Sequence, residues 1–283
     1  VGLNRSGNPK HLNDWRRSVP LEHLLPLLEV GGVQFFSLQK GASAQSIEAL
    51  GLTEFVIDLG PALDDFADTA AAIAALDLII SVDTGTVHLA GALGRPTWAM
   101  LEFAAEWRWL NEREDSPWYP SMRLFRQTRE GDWPELVRRM ARVLEQYVGE
   151  LVARQAAGAS GDLRGSAQSL YGKGRALLSS GQHSAAVVAF RRALTFDPTF
   201  DEARTELALA LGLCGRNAEA LEVYAEARRR SGRWSARAQF NYARALHGAG
   251  KIESARKAVE PLRSSEPGNP HIHLMHTLRP LKH

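Results

Sequence analysis

LIISVDTGTVHLAGALGRP, Leu78–Pro96, is the stretch around which this 283-residue chain is organised. Leu78, Ile79, Ile80 and Val82, with Ser81 among them, have the near-continuous apolar character of a strand buried in a parallel sheet. Asp83-Thr84-Gly85-Thr86 turns the chain, and Val87, Leu89, Ala90 and Leu93 return at helical spacing until Gly94 and Pro96 stop the helix. A strand, a tight turn and a helix start put unpaired backbone N–H groups at the carboxyl end of a sheet, where the helix dipole also favours an anion. Phosphate is the natural guest. Gly85 allows close backbone approach, Thr84 and Thr86 offer hydroxyls, and His88 stands one turn inside the helix. The same spacing equally suits a capped turn with a satisfied histidine, and spacing alone leaves both readings open.

The residues themselves are more specific. DTGTVHLAGALGRP resembles the D-[ST]-G-x-x-H-[LV] signature of the glycosyltransferase family that includes the lipopolysaccharide heptosyltransferases, family 9. FFSLQKG (Phe35–Gly41), DFADTAAAIAALD (Asp65–Asp77) and REDSPWYPSMRLFRQ (Arg113–Gln127) resemble a bacterial branch in which such a domain accompanies tetratricopeptide repeats. The resemblance covers roughly Val1–Glu150. It implies an α/β domain, the Rossmann-like, nucleotide-sugar-binding half of a two-domain GT-B fold, acting in inverting, metal-independent hexosyl or heptosyl transfer without a cofactor. It also implies that catalysis needs a domain upstream of Val1, and the catalytic residues are left unassigned.

On that resemblance, Asp83, Thr84, Gly85, Thr86, Val87 and His88 hold the donor, and the Ser6-Gly7-Asn8 loop faces its diphosphate. A basic residue before the next helix pairs with the phosphates. Arg17 is the first choice, because a guanidinium binds phosphate in bidentate fashion, and Lys10 is its competitor. Relatives carry apolar residues where Asn4 and Arg5 stand, which predicts a first strand less buried than theirs.

Read from the residues alone, Pro20 opens a short amphipathic helix over Leu21–Leu28, and Val33–Leu38 forms the next strand. Gln39 and Lys40 fall at its carboxyl end, where open α/β sheets gather ligands, and are candidates for the nucleoside or phosphate. Asp64, Asp65 and Asp68 precede an alanine-rich helix and read as its N-terminal cap rather than a metal site, since no histidine or further ligand completes one. Thr97–Leu101 is another strand. Beyond it Trp107, Trp109, Trp118 and Tyr119 crowd an irregular stretch with Arg108 and Arg113. Such a set stacks on a base or sugar, or simply covers a sheet edge; Trp109, Ser116 and Trp118 enter as candidates because the surrounding motif is the family's. Asp132–Glu150 is an amphipathic helix closing the domain, taken as residues 1–155.

Residues 156–166 (AAGASGDLRGS) read as a linker, small and Gly/Ser-rich. From there a repeat of about 34 residues sets in, the length of tetratricopeptide helix pairs. Three frames follow over residues 167–269, an all-α solenoid: Gly174, Gly181, Phe190 and Pro198 mark the first, Leu207, Gly215 and Tyr224 the second, Tyr242, Gly250 and Pro267 the third. In the second, Gly232 stands where the proline belongs. The tail, 270–283, is too short for another pair, and its His271, His273 and His276 lack acidic or thiol company for a metal.

Residues 1–150 carry 14 Lys and Arg against 21 Asp and Glu, and residues 151–283 carry 20 against 11. The basic repeat half suits an acidic partner, an anionic surface or the acidic half of its own chain, the repeats offer a surface for a peptide or protein, and without aromatic interleaving nucleic acid is the least supported guest. One cysteine, Cys214, excludes an intramolecular disulfide and fits a reducing compartment. The longest apolar run, Ala70–Ile80, is broken by Asp77 and too short to span a bilayer, and the first residues lack a signal pattern, so the expectation is a soluble cytoplasmic protein. An alternative of another class is a non-catalytic interaction scaffold with a degenerate nucleotide-sugar domain.

Overall fold

The computed structural model describes residues 1–41, 45–156, 163–231 and 234–265. Contacts divide the chain into two units, Val1–Ser160 and Gly161–His283.

The first unit runs β1 (Gly2–Asn4), α1 (Asp14–Arg17), α2 (Leu25–Leu28), β2 (Phe35–Ser37), α3 (Gln45–Ala49), β3 (Val56–Asp58), α4 (Phe66–Ala74), β4 (Ile79–Val82), α5 (Gly85–Ala92), β5 (Thr97–Leu101), β6 (Met122–Arg126) and α6 (Trp133–Ala156). The strands form one parallel sheet in the order β3-β2-β1-β4-β5-β6. From β1 the chain winds outward to β2 and β3, and from β4 it winds the opposite way to β5 and β6. The loops leaving β1 and β4 therefore diverge and open a crevice at the carboxyl ends of those two strands.

Two adjoining cores hold the sheet to its helices. Leu38, Leu63, Ile73, Leu76, Ile79 and Ala90 form one, and Val87, Ala99, Leu101, Trp109, Met122 and Leu124 the other. Helix α5 contributes Ala90 to the first and Val87 to the second, so its position is fixed from two sides. Helices α2 and α6 pack on each other, with Leu27, Leu28, Val137 and Leu144 wholly buried.

The first strand departs from expectation. Instead of being poorly buried, β1 lies between β2 and β4, and Asn4 is only 4% exposed. A polar residue is accommodated there because its amide Nδ2 donates to Thr84 Oγ1 at 2.7 Å, with Ser81 Oγ at 3.4 Å. The helix expected over Leu21–Leu28 is divided into a 3-10 turn, Leu21–Leu24, and α2. Pro26 in the first turn of α2 has no N–H, so one hydrogen-bond ladder cannot run through the whole segment. Ahead of α4, Asp65 accepts from the N–H groups of Ala67 and Asp68 while Asp68 accepts from that of Asp65, a reciprocal cap of the kind expected from the acids.

Among its described residues the second unit is built of helices joined by turns: α7 (Leu163–Ser179), α8 (His183–Phe196), α9 (Asp201–Leu213), α10 (Asn217–Ser231), α11 (Ala236–Gly248) and α12 (Ile252–Ser265). Within each of the three pairs the helices are joined by a turn containing Gly181, Gly215 or Gly250, each with φ between +74° and +79°. Gly174 is small for a contact reason, because a Cβ there would meet the Phe190 ring at 2.5 Å. Phe190, Leu207, Leu211 and Tyr224 belong to the core shared by the first two pairs.

Both ends of the expected linker are helical. Ala156 completes α6 and Leu163–Ser166 open α7, Gly165 being tolerated in its first turn, and residues 157–162 between them lie outside the described residues. The tail 270–283 with its three histidines, Gly232 and Pro267 lie outside them too.

Candidate functional site

The site is built on the end of β4. Thr84 caps α5 by backbone position alone, with φ −145° and ψ 174°, and its hydroxyl makes no capping bond. That hydroxyl accepts from Asn4 across the crevice. The N–H groups of Gly85 and Thr86, in the first turn of α5, are thus left without a side-chain cap and point out of the helix start. A cleft of about 500 Å³ opens in front of them.

The cleft collects sequence candidates from three strands. Ser6, Gly7 and Asn8 after β1, Gln39 and Lys40 after β2, and Thr84, Gly85 and Thr86 after β4 all line it. Their roles differ. Gln39 is buried and spends both ends of its amide on the β1 loop: Oε1 accepts from the N–H groups of Arg5 and Ser6, and Nε2 donates to Ser6 O. It holds the loop in shape. Lys40 reaches across to donate from Nζ to Asp64 O at 3.0 Å. Asn8 Oδ1 accepts from Lys10 N, which closes a small turn and leaves the exposed Lys10 side chain outside the cleft lining.

Arg17 sits behind the loop. Its Nε donates to Asp14 Oδ1 at 3.1 Å and its Nη1 to Asp83 O at 3.1 Å. Asp14 also accepts from Ser18 Oγ, whose hydroxyl oxygen accepts from Gly7 N. Gly7 is required by this close approach: a Cβ there would lie 2.3 Å from Asp14 Oδ1 and 2.8 Å from Arg17 Nη2. The third guanidinium nitrogen, Nη2, thus lies directly beneath the loop.

His88 and Val87 do not line the cleft. Val87 is wholly buried in the core, because its place in the first turn of α5 faces the sheet. The His88 ring turns toward Asp83, with Nε2 3.4 Å from Asp83 Oδ1 and Nδ1 3.2 Å from Tyr119 Oη, and it stacks on Trp109 at 5.3 Å between ring centres. Both ring nitrogens are therefore engaged away from the cleft. Trp109, fully buried, donates Nε1–H to Asp83 Oδ2 at 2.9 Å. Burial pushes the Asp83 carboxyl up, but hydrogen bonds from His88 and Trp109, with the charge of Arg108, hold it below the usual carboxylate range.

The last two candidates have other duties. Ser116 Oγ accepts from the N–H groups of Trp118 and Tyr119, tying the turn that presents Tyr119. Trp118 is 59% exposed and donates its indole N–H to Arg108 O. Four contributors escape the sequence reading: Asn4, Asp14, Tyr119 as partner of His88, and Phe66. The last is 67% exposed on the cleft, with its ring edge 3.3 Å from where a Gly85 Cβ would stand. An apolar residue just after a helix cap was the available signal. Among the described residues no group of three or more His, Cys, Asp or Glu is placed to hold a metal ion.

Against this geometry, residues 33–138 match the family model of glycosyltransferase family 9 (heptosyltransferase). The first unit carries a family 9 glycosyltransferase domain. The matched stretch includes the β2 and β4 ends that line the cleft, while Ser6, Gly7 and Asn8 of the β1 loop and Arg17 of α1 precede it. Residues 214–278 match a tetratricopeptide-repeat model, and residues 123–233, from β6 of the family 9 domain into the repeats, match a bacterial transcriptional activator domain. The chain is also 37% identical over 139 residues to Protein FlbA of Caulobacter vibrioides, an alignment covering 47% of this chain and 22% of that protein. It thus spans about a fifth of the length of this relative.

Proposed function

We propose that the family 9 domain binds a nucleotide-diphosphate sugar, with the diphosphate against the uncapped start of α5 and the β1 loop. The observation that carries this is the cleft between Ser6–Asn8 and Thr84–Thr86, walled on one side by the uncapped N–H groups of Gly85 and Thr86 and lined by the Thr86 hydroxyl and Lys40. A glycosyl transfer leaves negative charge on the departing diphosphate, and preformed donors aimed at that charge stabilise it without a metal. Donor binding and leaving-group stabilisation are the parts of the reaction these residues supply. No helix among the described residues is long and apolar enough to cross a membrane, and the lone Cys214 fits the reducing cytoplasm of a bacterium. The repeats, whose stacked pairs offer an extended surface, serve for binding an acidic protein or peptide.

Calorimetric titration of the chain with UDP, GDP, ADP and dTDP and their hexose derivatives tests the reading. One series should show saturable binding, weakened by about 1.5–3 kcal/mol in Thr86→Ala or Lys40→Ala, the worth of a hydrogen bond to a charged group. Flat heats across the panel refute donor binding and favour a scaffold whose activity lies in the repeats.

A further inference from the structure

Most carboxylates around the end of β4 are already engaged. Asp83 has both oxygens occupied by His88 and Trp109, and Asp14 has both occupied by Arg17 and Ser18. Glu102 is different. It follows Leu101, the last residue of β5, and because β5 runs parallel to β4 it leaves the sheet at the same end as the Asp83–Thr86 turn. It is half-buried, and no hydrogen bond or ion pair holds its carboxylate among the described residues. Asp83 and Glu130 repel it while Arg16 and Arg17 attract it, and burial pushes its carboxyl up.

This surrounding selects the guest. A cation meets Arg16 and Arg17 nearby and finds one free carboxylate where a metal needs several oxygen ligands. An anion meets three carboxylates. A neutral group rich in hydroxyl donors satisfies the unpaired acceptor without adding charge. The direction also matters: the cleft runs from α5 toward Lys40 and Phe66, on the β2 side, whereas Glu102 lies on the β5 side. A nucleotide sugar carries its nucleoside and its sugar at opposite ends of the diphosphate. With the diphosphate at α5 and the nucleoside in the cleft, the sugar extends toward β5.

Resting on the donor reading above, we infer that Glu102 accepts hydrogen bonds from hydroxyls of the donor sugar and distinguishes the sugar nucleotide from the free diphosphate. The test compares Kd for UDP, GDP and ADP with Kd for UDP-glucose, GDP-mannose and ADP-glucose, in the unaltered chain and in Glu102→Gln. The unaltered chain should bind a sugar nucleotide about 10-fold more tightly than its diphosphate, and Glu102→Gln should remove that preference while keeping diphosphate affinity, as expected for one charge-assisted hydrogen bond. Retained diphosphate affinity also reports that the variant is folded. If the diphosphate binds but the preference is absent, or survives in Glu102→Gln, the Glu102 assignment is overturned and donor binding stands. If no nucleotide binds the unaltered chain, donor binding fails and takes this assignment with it.

Discussion

Replacing Trp109 by Phe removes one hydrogen atom that the site depends on. The indole N–H donates to Asp83 Oδ2 at 2.9 Å from a fully buried position, and a phenyl ring keeps the stacking on His88 but not the donor. A hydrogen bond to a buried carboxylate contributes about 1.5–3 kcal/mol, and the atoms lost between indole and phenyl add about 1 kcal/mol of packing. Trp109→Phe should therefore destabilise the first unit by about 2.5–4 kcal/mol at pH 7. Most of that loss carries a pH signature. Asp83 is held below its ordinary range, so its stabilisation is complete above about pH 4 and fades as pH falls through the lowered value, where the carboxyl protonates. The packing part does not change with pH. Urea unfolding followed by tryptophan fluorescence is the assay, because six of the seven tryptophans lie before residue 160 and report on that unit. In an Asp83→Ala background the Trp109 substitution should cost only the packing part, a coupling of about 1.5–3 kcal/mol. An equal cost in both backgrounds would refute the bond as a source of stability.

Two further outcomes concern stability elsewhere. Asp65→Ala removes the reciprocal cap of α4 at an exposed position and should cost about 1–2 kcal/mol in the same urea experiment. Tyr224 is 1% exposed, its hydroxyl has no partner among the described residues, and burial pushes its phenol well above the ordinary value. Tyr224→Phe should accordingly stabilise the repeat unit by about 1 kcal/mol, seen as a higher Tm, and a lower Tm would show that the hydroxyl is bonded in solution.

The strand, turn and helix of Leu78–Pro96 were legible because burial period, glycine and proline all agree there, and the repeats because small and large residues recur in a fixed frame. What escaped depends on contacts between distant segments. Asn4 reads as an interruption of a strand until Thr84, eighty residues away, is seen to satisfy it. His88 reads as a ligand because helical spacing gives its position and not its direction, which Asp83, Trp109 and Tyr119 decide together. Gln39 was found at the right strand end for a ligand, but its amide is consumed by the β1 loop. Pro26 broke a helix that hydrophobic spacing alone carried through.

The hydrogen bond from Asn4 to Thr84 sets stability against function. With Asn4 in place the cap hydroxyl is occupied, and α5 forgoes a contribution of about 1 kcal/mol that a threonine in this position ordinarily makes. Without Asn4, Thr84 is released to turn inward and cap its own helix through the Thr86 N–H, taking that donor from an anion.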